Sequence, residues 1–177
     1  MTKSDIAIMP QFFDRYINLA DDIDLLTALA QPATFDGLIP AETLLALGNQ
    51  VYAPGKWTVR DIVQHVIDNE RIMSYRAMRF ARNDKTPLPG YDEELFGQQA
   101  NANRRSLSSL LEEFALVRQS SLALFRSLDD EALQRTGVCY NQTISSLALG
   151  FVLVGHALHH ARIIQERYVP LLTGKAQ

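Results

Sequence analysis

The stretch Thr143-Ile-Ser-Ser-Leu-Ala-Leu-Gly-Phe-Val-Leu-Val-Gly-His-Ala-Leu-His-His160 decides how the rest of the chain is read. Between Ile144 and Val154 nearly every residue is apolar. A helix that is apolar all round has no face for solvent and belongs in a core. Its unbroken apolar run, Leu147 to Val154, is far too short to cross a bilayer, which takes about 20 residues. The run leads directly into histidines. We expect a buried helix over 143–169, capped by Thr143 and stopped by Pro170.

A wholly buried helix needs others around it, and three more segments have helical periodicity. The first runs from Pro10 to Ala30, with Phe13, Tyr16, Ile17, Ala20, Ile23 and Leu26 at three- and four-residue steps. The second runs from Thr58 to Arg82. Thr58 and Asp61 form a variant of the capping box, and Trp57 and Ile62 match the hydrophobic staple. The third runs from Ser106 to Ser127, with a stripe of Leu107, Leu110, Phe114, Val117, Leu122 and Phe125. One short turn over 128–133 is expected to follow it. No segment reads as a strand. The fold class is therefore all-α, a four-helix bundle with long connections between helices 1 and 2 and between helices 2 and 3. Those connections, Gln31 to Trp57 and Asn83 to Arg105, are either functional lids or simple ties between helix ends.

Composition agrees with one globular domain over residues 1–177. Hydrophobic residues make up 47% of the 177 and charged residues 21%, enough apolar surface to offset the entropy of ordering. A net charge of −3 disfavours nucleic acid as a partner, because such binders need a basic footprint. The single cysteine, Cys139, excludes an intramolecular disulfide and suits a reducing compartment. No targeting segment is visible at the N-terminus. A cytoplasmic location with no membrane partner is expected. The apolar face of the first helix would serve a homodimer or the core equally well.

The four histidines all lie on the second and fourth helices. His156 and His160, four residues apart, place both imidazoles on one helix face, as in paired-histidine metal sites. A third nitrogen must come from another element, and His65 supplies it if the second and fourth helices are neighbours. Such a site leaves coordination positions open for water or substrate. His159 can alternatively pair with His156, or serve as a supporting, core or interface residue. Burying several imidazoles together is costly unless they are hydrogen-bonded or ligated. Neutral imidazoles suit several divalent metals; zinc and nickel are the expected ones.

Other polar residues are less decisive. Asp61 serves the helix start. Asp68 is either solvated or close enough to a ligating imidazole to orient it, and it is the one general base we can name for a hydrolytic reaction. Arg76 and Arg79 either hold an anionic substrate group or pair with carboxylates such as Glu112 or Glu113 on a neighbouring helix. Cys139, in a loop before the last helix, carries no mark of an activated thiol. No Gly-rich phosphate loop, GxSxG elbow or CxxC pair is present.

Three stretches resemble the DinB/YfiT-like family of small bacterial four-helix proteins. They are Trp57-Thr-Val-Arg-Asp-Ile-Val-Gln-His65, the passage from Glu70 to Tyr91 joining the second helix to its loop, and His156-Ala-Leu-His-His160. The resemblance covers roughly Phe12 to Val169. It implies a bundle that holds a divalent metal through His65, His156 and His160. It also implies, from some relatives, a metal-dependent transfer between a low-molecular-weight thiol and an electrophile, with both small molecules as partners. Metal-dependent hydrolysis and a non-catalytic metal-binding or interaction bundle are the alternatives.

Overall fold

A computed structural model describes residues 1–32 and 34–174, so the expected domain extends past the described residues at position 33 and at 175–177. In chain order the helices are α1 (Asp14–Ile17), α2 (Leu25–Ala30), α3 (Ala41–Leu47), α4 (Val59–Ala81), α5 (Glu93–Ala100), α6 (Leu107–Arg126), α7 (Asp130–Gln134) and α8 (Ser146–Ile163). A two-stranded hairpin, β1 (Thr136–Cys139) and β2 (Gln142–Ser145), precedes α8. The four members of the bundle are the α1–α2 pair, α4, α6 and α8. Helix α8 packs on α4 and on both α1 and α2, and α4 packs on α6.

The best-marked start is formed as expected. Thr58 Oγ1 accepts the Asp61 N–H at 3.3 Å, and Asp61 accepts the Thr58 N–H at 2.9 Å, so two orphan donors of α4 are satisfied reciprocally. Ser106 caps α6 by accepting the Ser109 N–H. Along α8, every residue from Ser146 to Ala157 is buried. The segment Ser146–Thr173 is long and apolar enough to cross a membrane by length and composition, but 78% of that apolar window is buried inside the fold. Packing accounts for its hydropathy.

The expected first helix is interrupted. After α1 the chain leaves the helix and re-enters it only at Leu25. The cause is the acidic run Asp21-Asp22-Ile23-Asp24. Asp22 accepts both the backbone N–H and the hydroxyl of Ser4. Asp24 caps α2 through the N–H groups of Leu26 and Thr27 and pairs with the N-terminal ammonium. Short acidic side chains that find backbone partners compete with helix, and here they win.

The hairpin is itself a correction, since no strand was expected, and it overturns two further expectations. Thr143 lies in β2 and does not cap α8; Ser145 does, accepting the Ala148 N–H at 3.1 Å. Tyr140 and Asn141 both have positive φ, 56° and 58°, the backbone of a tight two-residue hairpin turn. Cys139 is consequently a buried strand residue rather than a loop residue. The C-terminal boundary also differs. Past Ile163 the helix widens into a π turn over Ile164–Tyr168 and tightens into a 3-10 turn over Val169–Thr173. Pro170 opens that last turn, where its missing N–H costs little. Both long connections are structured: α3 and a 3-10 turn at Phe35–Gly37 occupy one, α5 and a 3-10 turn at Ala102–Arg104 the other.

One buried ion pair ties the bundle together. Arg118 of α6 donates from Nε and Nη2 to the two carboxylate oxygens of Glu70 on α4, at 2.8 and 2.9 Å. Its remaining donors reach the carbonyls of Leu29 and Leu153. Both side chains are 2% exposed.

Candidate metal centre

Adjacent helices place His65, in the second turn of α4, opposite His156 and His160, in the last two turns of α8. All three are buried. His65 Nε2 lies 3.1 Å from His156 Nε2, which lies 3.2 Å from His160 Nε2. The three candidate ligand nitrogens fall within 4.8 Å of one another.

Burial holds these imidazoles neutral. It pushes His65 down to about 4. It puts His156 and His160 well below the ordinary histidine value, and the neighbouring imidazoles add to the effect. Neutral imidazole is the ligating form. A proton can bridge two ring nitrogens but not three at once, whereas one cation satisfies all three. A divalent ion with metal–nitrogen distances of about 2.0–2.1 Å would hold its nitrogens about 2.9–3.4 Å apart. The two close spacings fall within that range, so the residues present fit a metal ion. Among the described residues, His160 Nδ1 is buried with no hydrogen-bond partner.

Aromatic neighbours fix the rings. The Trp57 ring lies 4.9 Å from that of His65. The backbone that carries the indole is held in turn by Tyr168, whose hydroxyl donates to the Trp57 carbonyl at 2.6 Å. Burial raises the Tyr168 hydroxyl to about 12, so it remains a donor. The π turn that follows α8 carries Tyr168 to this position. On the other side, Tyr16 of α1 packs edge-on against His156 at 5.2 Å and His159 at 5.3 Å. Gly155 makes this approach possible. A Cβ there would lie 1.9 Å from the Tyr16 carbonyl oxygen, so any side chain would push α1 off the histidines.

A cavity of 180 Å³ opens beside His160. Trp57, Tyr52 and Tyr168 wall it, and Lys56 and Glu94 also line it. Glu94 belongs to α5, a helix with no buried residue, which crosses one long connection.

His65, His156 and His160 therefore come together as the histidine spacing suggests. His159 does not join them; it is half-buried, packed edge-on against Tyr16 and the His160 ring. Asp68 is taken up by Gln64, which donates to it at 2.9 Å, and by Arg71. Burial raises its carboxyl above the usual range. Asp61 serves the cap and also accepts from Asn103. Arg79 pairs with Asp84, and Glu113 with Arg71 and Arg105. Arg76 meets neither Glu112 nor Glu113; it donates to the Pro89 carbonyl at 2.8 Å.

Tyr16, Glu94 and Tyr168 were not legible as site residues. Tyr16 and Glu94 sit on elements far away in sequence, and Tyr168 follows His160 through a π turn that breaks the regular helical spacing. Gly155 beside His156 was the one available signal, a glycine inside a helix that reads as a close-packing point.

A family model described as the DinB superfamily matches residues 14–164. Among curated relatives, a protein of Bacillus subtilis strain 168 named "Putative metal-dependent hydrolase YfiT" is 29% identical over 119 residues, covering 65% of this chain and 66% of its own length. A protein of the same description from Oceanobacillus iheyensis is 25% identical over 114 residues, covering 63% of this chain and 65% of its own. The chain thus spans just under two-thirds of the length of the curated relatives it matches. The solved structure of Bacillus subtilis YfiT, described as having an unusual four-helix bundle topology, matches with a TM-score of 0.67 at 21% identity. That match covers 95% of this chain and 91% of that one.

Proposed function

The chain belongs to the DinB superfamily, and on that premise we propose that it is a metal-dependent hydrolase whose divalent ion is held by His65, His156 and His160. The observation that carries this reading is the convergence of three buried, neutral imidazoles on one point beside a cavity. The names of the curated relatives support the reaction class. Zinc or nickel is the proposed ion, because imidazole ligands suit both.

A divalent ion bound there supplies Lewis acidity and lowers the pKa of a water or thiol it binds. The chain's own residues do the rest. Trp57 and Tyr16 hold His65 and His156 in orientation. Trp57, Tyr52 and Tyr168 wall the cavity and limit water around a bound substrate. Glu94 lines the same cavity and takes the role of general base, accepting the proton of the attacking nucleophile. It replaces Asp68, whose carboxylate is committed to Gln64 and Arg71.

A second reading is transfer of a low-molecular-weight thiol to an electrophile. What favours it is that no carboxylate joins the three-histidine group among the described residues, and a thiol acidified by a metal needs no protein base. The proposed setting for either reaction is the cytoplasm, with small molecules as partners.

Metal content of protein prepared without a histidine tag tests the site. About one ion per chain in the wild type, lost in His156→Ala, is expected; equal metal in both sinks it. Turnover of ester or amide substrates with and without added thiol then separates the reactions. Thiol-independent turnover that falls in Glu94→Gln supports hydrolysis, and strictly thiol-dependent product supports transfer.

A further inference from the structure

A second cavity, of 480 Å³, lies between α4 and the segment Leu88–Tyr91, away from the cavity beside His160. Its floor is Arg76, which is 3% exposed. The guanidinium donates from Nη2 to the Pro89 carbonyl at 2.8 Å and, weakly, from Nη1 to the Met73 sulfur at 3.4 Å. Among the described residues no carboxylate pairs with it. The contrast with Arg118 is direct. That arginine is equally buried and has two carboxylate oxygens and two carbonyls around it. A buried guanidinium that meets only neutral acceptors carries a charge without a counter-ion.

The remaining charges at this cavity are already matched. Arg71 is paired with Glu113 and Arg79 with Asp84, which leaves one unmatched positive charge. The walls are apolar and aromatic. Ile72 and Leu88 line them, the rings of Tyr91 and Phe96 lie 4.9 Å apart, and Tyr75 and Phe96 stand about half exposed at the rim. An apolar cavity with one convergent polar group is the usual form of a small-molecule site.

We propose that this cavity binds a small monocarboxylate with a flat apolar body, its carboxylate on the Arg76 guanidinium and its ring among Tyr75, Tyr91 and Phe96. The guanidinium fork matches a carboxylate in geometry. A single unmatched cation in an apolar pocket favours one negative charge over the two of inorganic phosphate. The site is independent of the histidines, so it stands or falls apart from the metal reading.

The test is a titration of purified, metal-loaded protein with 3-phenylpropionate, followed by calorimetry and by backbone amide NMR, with 3-phenylpropionamide and inorganic phosphate as controls. The acid is expected to bind saturably, with shifts at Ile72, Tyr75 and Leu88. The neutral amide is expected to bind about ten- to a hundredfold more weakly, as for loss of a charged hydrogen bond. Phosphate should not compete. Binding should persist after chelation and in His156→Ala, and it should fall by a similar factor in Arg76→Met. Should that variant fail to fold, Ile72→Trp, which fills the cavity from a partly exposed wall, should abolish binding instead. The proposal is overturned by acid and amide binding equally, by phosphate competing as well as the acid, by affinity that follows the metal, or by no binding of the acid.

Discussion

Helices α4 and α8 bury two polar centres side by side, and the two are built in opposite ways. His65 and Glu70 lie little more than one turn apart on α4, and Leu153 and His156 lie one turn apart on α8. Around Glu70 and Arg118 each charge faces its opposite in a two-pronged contact, and the spare donors reach carbonyls. Around His65, His156 and His160 the nitrogens face one another, uncharged, with His160 Nδ1 lacking a partner among the described residues. The first centre is complete within the protein. The second is complete only with something added. Burial alone therefore does not distinguish a structural polar centre from a functional one; the tally of satisfied donors and acceptors does.

The largest test of that contrast removes one side of the closed centre. Glu70→Gln leaves the Arg118 charge buried and half-paired, and it should cost about 3–5 kcal/mol, read from urea unfolding. A loss under about 1 kcal/mol would mean that the pair is not closed to solvent.

The open centre should instead respond to acid. Burial lowers His65 to about 4 from an ordinary 6.5, so the unfolded chain binds a proton that the folded chain refuses. The stability of metal-free protein should be intact above pH 6.5 and should fall as the pH drops from 6.5 towards 4. For His65 alone the loss is about 3 kcal/mol. Thermal unfolding of chelated protein across that window checks it, and a flat profile would break the comparison.

Metal should move only the open centre. Added zinc or nickel at a hundredfold excess over its Kd should stabilise the wild type by about 2.7 kcal/mol and His156→Ala by nothing. Glu70→Gln, if folded, should retain the full increment, because its lesion lies in the other centre.

The smallest effect sharpens the ligand set. His159→Ala should leave metal content unchanged and shift stability by less than about 1 kcal/mol, because its half-buried ring packs on Tyr16 without joining the three nitrogens. Loss of metal in this variant would replace His160 by His159 in the centre.

Much of this was legible in the residues themselves. Thr58 and Asp61 marked the start of α4, Ser106 marked that of α6, and the apolar run of α8 marked the core. These signals are local, because a cap or a stripe involves residues within a turn or two of each other. The histidine triad was half local: the four-residue step from His156 to His160 is a property of one helix. Arg118 went unremarked, although it sits on the buried stripe between Phe114 and Leu122. An arginine among core positions was the available sign of a buried partner. The break after α1 and the hairpin at Tyr140–Asn141 were misread. In the first, Asp22 found the amide of Ser4, a partner far along the chain. In the second, the strands are too short for a two-residue alternation to stand out against helical neighbours.

By itself, then, the sequence determined that the chain is helical, where three of its long helices lie, and that two imidazoles share a face of the last one, because hydrophobic period and capping act over a few residues. Tertiary structure alone decided that His65 meets them, that Glu94 and Trp57 border the resulting cavity, that Glu70 is matched by Arg118, and that Arg76 meets no carboxylate among the described residues. Those outcomes depend on which helices become neighbours and in what rotation, and that is set by the packing of whole faces, including the close approach that Gly155 allows Tyr16.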